Sequence, residues 1–128
     1  MEISKFANFV LIVLFLLLLI LHFLIVFKVV PYSLIWGGRL KTVKEMFWIE
    51  IFSILLNFIF LFFTLEWAGL TNLAMPLKTQ KLSQWLILVF FLFSTVGNIF
   101  SKNRIERLVF APLALFITIF LVIIVTNS

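Results

Sequence analysis

Four long apolar runs, separated by short polar stretches, dominate the pattern of the chain. They cover about residues 7–30, 47–65, 85–100 and 108–126. A helix of roughly 20 apolar residues crosses a bilayer core of about 30 Å. The pattern therefore predicts an all-α fold, an integral-membrane bundle of four transmembrane helices that forms a single domain over residues 1–128.

Composition supports a membrane protein and excludes several kinds of site. Hydrophobic residues make up 65% of the chain and charged residues only 12%, whereas soluble domains carry about a quarter charged residues. The absence of cysteine excludes disulfides, thiolate metal sites and cysteine nucleophiles. His22, the single histidine, is too little for a histidine-based metal site. We expect neither a metal nor a cofactor.

The basic residues lie in loops beside the spans, so the net charge of +5 indicates topology and attraction to anionic headgroups, not nucleic-acid binding. The N-terminus, the second loop and the C-terminus share one side of the membrane and carry Lys5, Lys78 and Lys81. The other two loops carry Lys28, Arg39, Lys41, Lys44, Lys102, Arg104 and Arg107. The positive-inside rule therefore predicts that both termini are outside.

Polar residues from three spans are predicted to meet in the cytoplasmic half of the membrane. Glu50, Ser53 and Asn57 fall on one helical face, at i, i+3 and i+7. Ser94, Asn98 and Lys102 are spaced by four in the third span, and His22 lies near the cytoplasmic end of the first span. Such residues are either glue between helices or functional groups. Glu50 requires a partner or a water-filled cavity, and its predicted partners are Arg39, Lys28 and Lys102.

The stretch "KVVPYSLIWGGRLKTVKEM" between the first two spans contains a second group of candidates. Pro31 ends or kinks the first helix, and Trp36 suits the membrane interface. Gly37 and Gly38 let backbone N–H groups approach a ligand, and Arg39 offers a fork that matches phosphate or carboxylate. The stretch is either a re-entrant loop over the polar residues or an aromatic-anchored turn whose basic residues only set orientation.

Two helix starts on the cytoplasmic side are alike. "KTVKE" and "KNRIE" place Thr42 and Asn103 as N-caps, with Glu45 and Glu106 at the third helical position. This spacing is typical of a capping box, and a tandem duplication of hairpins is the alternative interpretation.

The stretches "VVPYSLIWGGRLK", "KEMFWIEIFSILLN" and "STVGNIFSKNRIERLVFAPLAL" resemble a family of small, uncharacterised bacterial membrane proteins with four helices. The resemblance covers most of the chain. It implies the four-helix architecture and a multi-pass location in the bacterial cytoplasmic (inner) membrane, and it brings no activity and no catalytic residue.

The leading functional hypothesis is a cytoplasm-facing polar pocket that binds or translocates a small anionic or amphipathic ligand, most simply a lipid headgroup. Arg39 and Lys102 attract the anion and Glu50 positions Arg39 or contacts the ligand. The ligand-binding residues are predicted to be His22, Trp36, Gly37, Gly38, Arg39, Glu50, Asn57, Ser94, Asn98 and Lys102.

Two alternatives stay open. One is an accessory subunit whose polar residues hold helices together or meet a membrane protein partner or a second copy of the chain. The other is a membrane-embedded enzyme that acts on a lipid-like substrate with Glu50 or His22 as acid or base, although no complete catalytic constellation is visible. Membrane lipids are the expected partners in the leading case, and no nucleic acid is expected.

Overall fold

Four helices form the structure, a computed structural model that describes residues 2–27, 43–101 and 104–127. The α-helices are α1 (Glu2–Val26), α2 (Val43–Trp67), α3 (Leu77–Ile99) and α4 (Ala111–Thr126), and a π-helical turn (Glu106–Phe110) leads into α4. Each of the four, α4 with its π turn included, is long and apolar enough to cross a membrane. The prediction of an all-α protein with four such helices is confirmed, and the helices suggest a multi-pass membrane protein.

Helices α1, α2 and α3 begin earlier than the corresponding apolar runs. α1 begins at Glu2, five residues before the run at 7–30, and α3 begins at Leu77, eight residues before the run at 85–100. Hydropathy locates the apolar centre of a helix, whereas the helix continues through polar residues that can face the interface. Pro76 precedes α3 directly with φ −58°, which suits a helix start because proline has no N–H to leave unpaired.

Consecutive helices run antiparallel, so the termini of the chain lie at one end of the bundle. Opposite that end, α1 and α3 finish and α2 and α4 begin, and we call this the polar end. α1 packs against α2 and α4, and α3 packs against α4, while α2 and α3 touch each other only sparsely. The bundle is therefore closed along three helix pairs and loosely packed along the fourth.

Aromatic rings fill the centre of the bundle. The ring of Phe15 on α1 lies 6.0 Å from that of Phe60 on α2 and 5.7 Å from that of Phe91 on α3, and the rings of Phe60 and Phe91 are 5.4 Å apart. These separations suit favourable aromatic pairs. Many other Phe, Leu and Ile side chains are exposed on the outer faces, as expected where lipid is the solvent.

The link between α2 and α3 is held by backbone geometry and by one carboxylate. Gly69 has φ +76°, and the N–H groups of Gly69 and Leu70 bond the carbonyls of Glu66 and Leu65, which is the Schellman arrangement that favours glycine. The Glu66 carboxylate accepts hydrogen bonds from the Thr71 hydroxyl at 2.5 Å and from two backbone N–H groups farther along the link.

The π turn before α4 has a local cause in Pro112. A proline inside an α-helix removes one hydrogen bond and clashes with the carbonyl four residues earlier. In the structure the N–H of Ala111 bonds the carbonyl of Glu106, five residues back, so the backbone is widened just before the proline. Such turns are frequent at functional sites, and this one carries Glu106 into the interior.

Candidate functional site

A cavity of about 500 Å³ lies inside the bundle toward the polar end. Its volume is in the range of about 300–1,000 Å³ that is typical of small-molecule sites. Every helix and the π turn contribute to its wall. The polar residues that line it are His22, Glu50, Ser53, Asn57, Ser94, Asn98 and Glu106. The apolar lining is Leu18, Leu56, Phe90, Phe91, Phe93, Gly97, Phe110, Ala114 and Ile117.

His22 and Glu50 form a pair between α1 and α2. The Nδ1 atom of His22 lies 2.5 Å from Oε2 of Glu50, and the Glu50 residue is 1% exposed. His22 is also buried, and its ring centroid lies 5.9 Å from that of Phe110 at the π turn. A buried carboxylate without a partner is very costly in hydrocarbon. The pair therefore places two ionisable groups in the cavity wall. The bond at Nδ1 also fixes the orientation of the imidazole ring.

Glu106 brings a second carboxylate to the same cavity. It is 6% exposed, and one of its oxygens accepts a hydrogen bond from the hydroxyl of Ser101, just after α3. The guanidinium of Arg107 donates to the carbonyl of Ser101 at 3.1 Å. These bonds connect the end of α3 to the beginning of α4, so Glu106 is held in place from both helices.

The two asparagines of the cavity donate to their own helices. The side-chain amide of Asn57 donates to the carbonyl of Ser53 at 2.8 Å, and that of Asn98 donates to the carbonyl of Ser94 at 2.7 Å. Asn57 is 5% exposed, and its Oδ1 accepts no hydrogen bond within the part of the chain that the structure describes. A buried amide oxygen without a hydrogen-bond donor costs about 1–3 kcal/mol. A ligand that donates a hydrogen bond to this oxygen would remove that cost, and its binding would be favoured.

Half of the predicted site lies together in this cavity. His22, Glu50, Asn57, Ser94 and Asn98 all line it. The other predicted residues, Trp36, Gly37, Gly38, Arg39 and Lys102, lie outside the described residues, as do Lys28 and the predicted caps Thr42 and Asn103. The structure pairs Glu50 with His22, an interaction between two predicted site residues that the sequence analysis did not join.

Two features of the cavity were missed from the sequence. Glu106 was assigned to helix capping because its spacing from Asn103 matches a capping box; Pro112, six residues later, was the available signal for a distorted helix. The aromatic wall was missed because 18 phenylalanines are spread along the chain, and no periodicity separates those that face a cavity from those that face lipid.

The described lining contains two carboxylates, one imidazole, and amide and hydroxyl groups, together with apolar side chains. Within residues 2–27, 43–101 and 104–127, no group of three or more metal-ligating side chains is present. Comparison of the chain with protein-family models, with curated proteins and with solved structures gives no match. The function has to be argued from the cavity itself.

Proposed function

We propose that this multi-pass membrane protein binds a small amphipathic ligand, most simply a membrane lipid, in the cavity at its polar end. The observation that carries the proposal is one cavity of about 500 Å³ whose lining combines polar side chains with apolar and aromatic ones. Few precisely placed polar groups in an otherwise apolar pocket are typical of ligand sites. The polar part of the ligand lies by His22, Glu50 and Glu106, and its apolar part lies along Phe90 and Phe91.

The orientation of the site follows from charge. With both termini outside, as the distribution of basic residues favours, the polar end lies on the cytoplasmic side of a bacterial inner membrane. Arg39 and Lys102 then stand on the side where an anionic headgroup arrives, and each adds attraction of about 1 kcal/mol near an anionic surface. Retention of the ligand is one expected activity, and its translocation is the other.

The test measures what the protein retains. Wild type is reconstituted in vesicles of phosphatidylethanolamine and phosphatidylglycerol and then extracted in mild detergent. Native mass spectrometry measures the mass of the protein together with any lipid that it retains. We expect a discrete bound lipid that Glu50→Gln and Asn57→Leu lose while circular dichroism shows unchanged helix content. Arg39→Ala lowers retention of phosphatidylglycerol selectively if the anionic preference is right.

Asn8 offers a matched control for the Asn57 variant. It is 7% exposed and its Oδ1 also accepts no hydrogen bond from the described residues, but it lies near the start of α1, away from the cavity. Asn8→Leu removes the same group and keeps the bound lipid. Equal loss from both asparagine variants, or only bulk lipid on wild type, contradicts the proposal. A protein partner in place of lipid points instead to an accessory subunit.

A membrane-embedded enzyme is the second candidate, and the His22–Glu50 pair favours it. A histidine whose Nδ1 side is held by a carboxylate has the geometry of a base with an orienting group. Extracted membrane lipids incubated with wild type and with His22→Gln distinguish this function from simple binding, because only turnover leaves a changed lipid that depends on His22.

A further inference from the structure

Two contacts between α2 and α3 hold these helices together in the half of α2 farther from the polar end. The ring of Phe60 on α2 is 5.1 Å from that of Phe90 on α3, and the indole N–H of Trp67 donates to the Ser83 hydroxyl at 3.0 Å. Nearer the polar end, Ser53 of α2 lines the cavity from one side. The other three helix pairs around the bundle pack more extensively, so the gap between α2 and α3 is the loosely closed side.

Gly97 and Phe93 mark where this gap opens. They are one turn apart on α3, and both line the cavity. Phe93 is nevertheless 75% exposed, so it lies at the boundary between the cavity and the outside. A Cβ atom added at Gly97 meets nothing within 4 Å, which shows that the space beside this residue is empty.

The depth of the gap places it against lipid. Ser53 is six residues after about residue 47, where the second apolar run begins, which is about 9 Å along the helix at 1.5 Å per residue. A hydrocarbon core is about 30 Å thick, so the gap extends into the apolar layer. An acyl chain can lie there at no solvation cost, whereas a water-soluble ligand would have to cross hydrocarbon.

We infer that the cavity takes its ligand sideways from the bilayer, through the gap between α2 and α3, and that its ligands are therefore membrane-embedded amphiphiles with a hydrocarbon chain. The inference rests on the proposed function, since it concerns the route to the same cavity. The chain extends from the gap into the bilayer while the polar part reaches the pair formed by His22 and Glu50.

Exchange of the bound lipid tests the route. Protein is reconstituted in vesicles of phosphatidylethanolamine and phosphatidylglycerol, deuterated copies of both lipids are delivered from cyclodextrin, and the mass of the retained lipid is followed by native mass spectrometry. Gly97→Trp places a large side chain in the empty space at the gap. Val96→Trp is the matched control, because the neighbouring Val96 is exposed and does not line the cavity. We expect Gly97→Trp to slow exchange about tenfold or more, a barrier increase of at least about 1.4 kcal/mol, while Val96→Trp exchanges like wild type.

A reversible closure separates a blocked route from a damaged fold. The chain has no cysteine, so a Ser53→Cys/Gly97→Cys protein can be bridged across the gap by a bifunctional methanethiosulfonate and released by reduction. Exchange that stops on bridging and returns on reduction supports the route. Exchange that is unchanged in both the bridged protein and Gly97→Trp overturns it while leaving the pocket intact. Absence of a retained lipid on wild type overturns the proposed function itself.

Discussion

The interaction between His22 and Glu50 should be strong enough to measure as a coupling between α1 and α2. Glu50 is 1% exposed and the two atoms lie 2.5 Å apart, so water does not compete for the bond. Hydrogen bonds to charged groups contribute about 1.5–3 kcal/mol in soluble proteins, whereas side-chain bonds within membranes average about 0.6 and reach about 1.7 kcal/mol. The membrane value is lower because the unfolded helices also find partners.

We therefore expect a coupling energy of about 1.5 kcal/mol, near the upper membrane value, because both groups are buried and the bond is short. A double-mutant cycle of His22→Phe, Glu50→Gln and the double variant isolates it from the other losses that each substitution causes. The assay is equilibrium unfolding in mixed micelles with increasing dodecyl sulfate, followed by circular dichroism. Free energies of unfolding that add within about 0.3 kcal/mol, the usual result for independent sites, would refute the reasoning.

Two further predictions concern a pair of glycines and the orientation of the bundle. Gly69→Ala should lower the free energy of unfolding by about 1 kcal/mol, because an alanine is strained at a left-handed φ of +76°. Gly97→Ala should raise the free energy of unfolding by up to about 1 kcal/mol, because alanine favours a helix more than glycine does. The same unfolding assay measures both, and equal effects of the two substitutions would contradict the backbone argument. A cysteine at Leu73, in the link between α2 and α3, should react with an impermeant maleimide on intact bacterial cells, whereas one at Arg104 should react only after permeabilisation. The reverse pattern would place the termini inside.

Much of the architecture follows from local chemistry that the sequence displays directly. Four long apolar runs demand helices, since each backbone group in hydrocarbon must be paired within its own segment. The spacing of Glu50, Ser53 and Asn57 also indicated one polar face on α2, and all three line the cavity. Their proximity to His22 and Asn98 could be inferred because antiparallel helices bring the end of one span beside the start of the next.

The location of the cavity was decided by tertiary packing, because a cavity depends on which helices contact one another. Outside their polar faces these helices are apolar all round, so the sequence does not say that α3 packs against α4 while α2 and α3 meet sparsely. That difference leaves the cavity and its loosely packed side. The pairing of Glu50 with His22 is likewise a product of geometry, because it depends on the distance between two side chains across the bundle. The basic partners predicted for Glu50, which are Arg39, Lys28 and Lys102, lie outside the described residues. By itself, the sequence determined the helices and their polar faces through local periodicity, and only the long-range packing decided which faces enclose a site.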